Sequence, residues 1–290
     1  RHRRGNTPHM LTMGSTPDST LLAAEHLVHY LALCGFAQLR ALAPRAGLPS
    51  RQLASAQKDR QKLAFTWGTS WEAFSESISE TARAQDPLMS PIPQLFGLSQ
   101  AVTSKSGAMA AAANVLRLAR NSRSHLERIP EADADGRSRE LTRALDVLLT
   151  GVEFISSVPL VHVLDYTVDG LTGNRAAVFE YLQGSGVVFP HGTQEVRSEV
   201  ARGSIGLLVR SGEFFDLTPW IVLHTCEMCK RPEVFLFSRW ELGFTTYVAM
   251  ESGHPWKTES TSRAVSRLVE LEPVHKGELQ TPVAPHSEGL

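Results

Sequence analysis

Ala23, Leu27, Tyr30, Leu31, Cys34 and Ala37 recur at helical spacing, which predicts a helix over residues 19–42 with one apolar face. Asp18 or Ser19 can accept a backbone N–H at its start, and Pro44 with the Gly47-Leu-Pro49 segment ends it. Thr69-Ser-Trp-Glu72 reads as a capping box that opens a second helix, running through Phe74 and Ile78 to Arg83. Pro87, Pro91 and Pro93 enforce a loop, because proline lacks the N–H a helix interior requires. An Ala- and Leu-rich stretch over residues 98–118 predicts a third helix. Leu141, Leu145, Leu148, Leu149, Val152 and Ile155 predict a fourth over residues 138–156.

After Val158-Pro159 the period changes. Short β-branched or aromatic runs at residues 160–168, 175–182, 204–210, 213–217, 220–224, 233–238 and 244–250 are separated by Gly, Pro and Asn. They predict a compact antiparallel sheet, with Ser211-Gly212 closing a hairpin between the runs at 204–210 and 213–217. The fold class expected is α+β: an all-helical N-terminal bundle followed by a small antiparallel β-rich domain. The expected division is a disordered leader at 1–17, the bundle at 18–157, the β-rich domain at 158–258, and a short helix with a loose tail at 259–290.

The chain has 290 residues, 42% hydrophobic and 20% charged, enough for two modest cores or one larger one. Its net charge of −1 gives no global pull toward nucleic acid, but the charge is unevenly placed. Residues 1–160 carry a net +4 and residues 161–290 a net −5, so the helical half is the side suited to an anionic partner. Cys34, Cys226 and Cys229 are too few for a disulfide framework, which points to a reducing cytoplasm. No uninterrupted apolar run approaches a membrane span, so no membrane role is expected.

Arg120, Asn121 and His125 form the pattern R-N-x-x-x-H. Asn121 and His125, four apart, share one face of a helix, whereas Arg120 joins them only at a helix end or across a second subunit. Histidine can take and return a proton near neutral pH, and a guanidinium grips phosphate through two parallel N–H groups. Arg117, Arg123 and Arg128 add local positive charge that would guide an RNA backbone.

The opening amphipathic helix, Thr69-Ser-Trp71, Arg120-Asn-Ser-Arg-Ser-His125 and the closing helix through Leu141–Ile155 together resemble a HEPN domain. This helical bundle occurs in many prokaryotic RNase toxins and defence proteins. The resemblance covers just over half the chain. It implies a homodimer with the site across its interface and metal-independent RNA cleavage. His125 would be general base or acid at the ribose 2′-OH or leaving oxygen, Arg120 would stabilise the phosphorane, and Asn121 would position the phosphate. Leu126-Glu127 departs from the family pattern and puts a carboxylate beside the motif. Non-catalytic members that dimerise or bind RNA are the counter-reading.

Cys226-Glu-Met-Cys229 has the spacing that presents two thiolates to one zinc ion, and His224 and His254 are the residues that would complete a structural set. The alternative is two small side chains buried in a tight turn. His26 and His29 are expected at the surface of the first helix. Two functions follow: an RNA-cleaving effector with the β-rich half as its regulatory module, requiring no cofactor, or a non-catalytic adaptor that dimerises through the bundle and binds a protein partner through the β-rich half.

Overall fold

The computed structural model describes residues 17–46, 62–83, 107–124, 131–182, 188–209, 212–241 and 243–261, with residues 102 and 264–265. Residues 1–16 of the expected leader, the Pro87–Pro93 loop and the C-terminal tail beyond residue 265 lie outside the described residues, while Pro17 belongs to the first helix. Among those described, the helices are α1 (Pro17–Ala46), α2 (Trp67–Arg83), α3 (Ala108–Ser124) and α4 (Glu131–Gly151), the last followed by a 3-10 turn at Glu153–Ser157. The strands are β1 (Lys62–Ala64), β2 (Leu160–Val168), β3 (Arg175–Tyr181), β4 (His191–Glu195), β5 (Ile205–Leu208), β6 (Phe214–Asp216), β7 (Ile221–Thr225), β8 (Pro232–Glu241), β9 (Phe244–Ala249) and β10 (Pro255–Thr258).

The mixed α+β class and the antiparallel pairing hold, but the N-terminal half is not all-helical. Between α1 and α2 the chain forms β1, whose Lys62, Leu63 and Ala64 pair with Glu241, Trp240 and Arg239 of β8. Three residues without a β-branched side chain carry almost no strand signal, and their partner lies far along the chain. The β part is also larger than one small sheet. One five-stranded sheet runs β1-β8-β9-β10, with β7 also paired to β8, and a second runs β4-β3-β2-β5-β6. The ten residues of β8 serve two partners along one edge, β7 along Pro232–Leu236 and β1 along Arg239–Glu241.

The second helix begins earlier than its sequence suggests. Thr66, not Thr69, is the cap: Thr66 N–H donates to Thr69 Oγ1 at 2.6 Å, and Ser70 N–H donates to the Thr66 carbonyl at 2.7 Å. The reciprocal box is therefore Thr66-x-x-Thr69, one turn ahead of the expected Thr69-x-x-Glu72. β5 and β6 pair antiparallel as the expected hairpin requires; Ser211 lies outside the described residues, and Gly212 stands at φ +76°, a backbone region open to glycine at little cost.

The core explains why α1 departs from a simple amphipathic pattern. Tyr30, Leu31, Cys34 and Ala37 are buried as the spacing predicts, but Ala32, Leu33 and Phe36 on other faces are buried too, and Ala23 is exposed. The helix packs against α2, α3 and α4 on one side and β8 on the other, so it has no solvent face along residues 31–38. The expectation that no segment approaches membrane-spanning length does not hold for this helix. Ser19–Gln38 is 20 residues long and apolar enough by length and composition to cross a membrane, yet most of it is buried within the protein.

Aromatic side chains join the helices to the first sheet. Phe36 of α1 meets Phe65 and Trp220 edge-on, with centroids 5.7 and 4.9 Å apart, and both of those rings meet Phe237 of β8. One continuous core therefore contains Phe36, Phe74 and Leu116 from the helices with Phe235, Phe237 and Tyr247 from the strands. A smaller core of Val161, Val163, Ala177, Phe179, Val196, Val200 and Leu208 lies on the second sheet.

Candidate metal centre

Two hairpin ends of the first sheet meet at its rim. Beyond β7 the chain turns through Cys226–Cys229; Lys230 N–H donates to the Cys226 carbonyl and Cys226 N–H to the Arg231 carbonyl, each at 2.8 Å. Lys230 takes φ +58°, a left-handed conformation rare for a side-chain-bearing residue, to close that turn. In the β9–β10 turn, Gly253 N–H donates to the Ala249 carbonyl, and His254 is delivered at the base of β10.

The two ends bring three ligand atoms together. His254 Nδ1 lies 3.4 Å from Cys226 Sγ and 3.2 Å from Cys229 Sγ. All three ligand atoms lie within 4.8 Å of one another, a group able to hold a metal ion. A tetrahedral zinc with Zn–S of about 2.3 Å and Zn–N of about 2.0–2.1 Å needs S···N separations of roughly 3.6 Å, so only a small outward adjustment separates this arrangement from a ligand set.

The electrostatics favour one thiolate. Cys229 N–H donates to Cys226 Sγ at 3.4 Å, and that bond, with the His254 contact, holds the Cys226 thiol down at about 7 despite its burial. Burial raises Cys229. Behind Cys229 stands Glu233, only 2% exposed. Burial alone would raise this carboxyl, but the Ser252 hydroxyl and N–H, then Arg231, outweigh it and hold Glu233 below its ordinary range. Its oxygens accept from Arg231 Nε at 3.2 Å and Ser252 N–H at 3.1 Å, and Cys229 also hydrogen-bonds to it. Such a carboxylate orients a ligand without binding the metal itself.

Of the two histidines the sequence offers, only His254 joins the group. His224 instead stacks on Trp256 with centroids 3.9 Å apart and planes inclined by 16°. Alternation explains the split: His224 lies within β7, opposite Glu233, while the cysteines lie in the turn beyond it. Cys34 is unsuited to metal or redox chemistry, since burial pushes its thiol up to about 12.

The Arg/Asn/His cluster is only partly described. Arg120 and Asn121 sit half-buried near the end of α3, and Arg117 donates to Asn114 Oδ1 at 2.7 Å. The side chain of Arg123, and His125 and Arg128 altogether, lie outside the described residues. Arg120 Nη2 is 3.5 Å from Glu25 Oε1 on α1, a partner that no local pattern reveals because the two are joined only by helix packing. His26 and His29, expected at the surface, are half-buried. His29 bonds to the Phe237 carbonyl, and burial lowers both imidazoles.

A third polar constellation went unread in the sequence. His162 of β2, Glu180 of β3 and His191 of β4 face one another in a single cross-strand row. Glu180 Oε2 lies 3.1 Å from His162 Nδ1, and Oε1 lies 3.5 Å from His191 Nε2. The polar strand His191–Glu195 has no strand-like composition, so its histidine could not be placed beside Glu180 beforehand. Comparison of the chain with protein-family models, with curated proteins and with solved structures returns no match.

Proposed function

We propose that the chain is a metal-stabilised, non-catalytic interaction protein of the cytoplasm, in which Cys226, Cys229 and His254 hold a structural zinc ion. The observation that carries this reading is the convergence of those three ligand atoms from two separate hairpins. Zinc there pins the β7–β8 turn to the β9–β10 turn and fixes the rim of the sheet as a recognition surface. The acidic C-terminal part receives a protein partner, and the helices pair two copies. Exposed Leu118 on α3 and Val147 and Leu149 on α4 support that pairing. Metal analysis of protein purified without chelator tests the reading. At least one zinc per chain is expected, with one equivalent lost in Cys229→Ser and in His254→Ala but not in His224→Ala; a wild-type protein that takes up no zinc refutes it.

The second reading is the HEPN-like, metal-independent endoribonuclease of a defence or toxin system. It is supported by the placement of Arg120 and Asn121, partly exposed in the last turns of α3, with Glu25 beside the guanidinium. There His125 would move the proton, Arg120 would hold the phosphorane charge and Asn121 would position the phosphate, with Arg117, Arg123 and Arg128 along the RNA. Cleavage of RNA in EDTA that disappears in a folded His125→Ala variant supports this reading, and an inactive wild-type dimer removes it.

A further inference from the structure

We propose that His162, Glu180 and His191 form a second metal site, specific for a divalent first-row transition ion and separate from the cysteine centre. Three adjacent strands place them side by side. His162 pairs directly with Glu180, and Glu180 with His191, so all three side chains leave the same face of the sheet. Neighbouring positions across an antiparallel pair have Cβ atoms about 5 Å apart, which puts the two imidazoles roughly 10 Å apart at their roots with the carboxylate midway. Each ring reaches about 3 Å or more inward, and the two nitrogens already stand at 3.1 and 3.5 Å from the carboxylate oxygens. Two nitrogen ligands on one tetrahedral ion are separated by roughly 3.4 Å, so completing the set requires the ring of His191 to turn inward.

The row is also graded from fixed to mobile. His162 and Glu180 side chains are 20% and 18% exposed, while His191 on the edge strand is 58% exposed. On the inner side, His162 pairs with the buried Ile205. The inner two ligands are thus held by the sheet, and His191 has the room to turn its ring onto an ion arriving from solvent. Each imidazole presents a nitrogen to one carboxylate oxygen, and a bound ion would replace those contacts with coordinate bonds. Two imidazoles and one carboxylate suit zinc, copper, nickel or iron(II), and leave further coordination positions for water or a small anion. Thiolate is absent from this set, so its preference differs from that of the cysteine centre.

The test is a Zn²⁺ titration of the full-length chain, followed through the imidazole nitrogen resonances in NMR, which report each histidine separately. His162 and His191 are expected to shift together, apart from His254, with the ion bound at micromolar or tighter dissociation constants. Exposed His191→Ala should weaken binding at this row at least tenfold without altering the fold, and Glu180→Gln should do so while keeping its hydrogen-bonding shape. The proposal is overturned if His162 and His191 do not respond to Zn²⁺, or if His191→Ala leaves the response of His162 unchanged. Either result leaves the reading at Cys226, Cys229 and His254 standing, because His254 is followed independently in the same spectra.

Discussion

His29 Nε2 lies 2.6 Å from the carbonyl oxygen of Phe237, a hydrogen bond that ties α1 to β8 across the core. The neutral imidazole donates this bond, and burial holds its pKa at about 4, below the usual 6.5. Between those values the unfolded chain binds the proton that the folded chain refuses. Stability is therefore full above pH 6.5 and lost as the pH falls toward 4, by up to about 3 kcal/mol. Urea unfolding across pH 4–8 should show this fall, and His29→Gln should flatten it. An unchanged slope in the variant would assign the acid sensitivity to other groups.

The aromatic junction predicts that helices and sheet unfold together. Phe36→Ala or Phe237→Ala should cost about 3–5 kcal/mol, through lost burial and the cavity left behind. Helical ellipticity and tryptophan fluorescence should then melt in one coincident transition, as in the wild type. Two separated transitions would show that the layers are energetically independent.

Gly35 permits the close approach of α1 to α2. A Cβ there would run into the Ser77 side chain, whose hydroxyl donates to the Phe74 carbonyl. Gly35→Ala should destabilise the protein by about 1–3 kcal/mol although alanine favours the helix by about 1 kcal/mol. Chemical denaturation gives the sign directly, and Ser77→Ala combined with Gly35→Ala should recover part of the loss.

The Glu25–Arg120 pair is a separable test of what Arg120 is for. Both side chains are more than a third exposed, so Glu25→Gln should change stability by less than about 1 kcal/mol. If RNA cleavage occurs, the same variant should alter its rate while leaving the melting temperature nearly constant. A rate equal to wild type would separate Glu25 from the chemistry.

Zinc removal should lower stability locally and globally. Zinc-loaded protein should melt at a higher temperature than protein treated with EDTA, and Cys226→Ser combined with His191→Ala should match the chelated form with or without added zinc. Equal melting temperatures for loaded and chelated wild type would place the ion outside the folding equilibrium.

What could be read from the sequence follows from where the physical signal is local. The helices announced themselves through periodicity at Leu141, Leu145 and Leu148, and seven strands through their β-branched and aromatic runs. The Cys-x-x-Cys spacing also named two of the three converging ligands, with His254 among the suggested partners. Signals were missing where pairing alone makes the element: Lys62–Ala64 is a strand only because β8 offers an edge, and His191–Glu195 only because β3 does. The same limit hid Glu25 beside Arg120, and Glu180 between two histidines, since each contact is set by packing rather than by spacing.

The pairing of β1 with β8 also constrains how the protein is made. Lys62 leaves the ribosome on the order of ten seconds or more before Glu241 can meet it. Throughout that interval Phe65 lacks the ring of Phe237 against which it finally closes. Nascent chains therefore carry an uncovered aromatic surface and an unpaired strand until synthesis is well advanced. Fragments ending before β8 are therefore expected to aggregate.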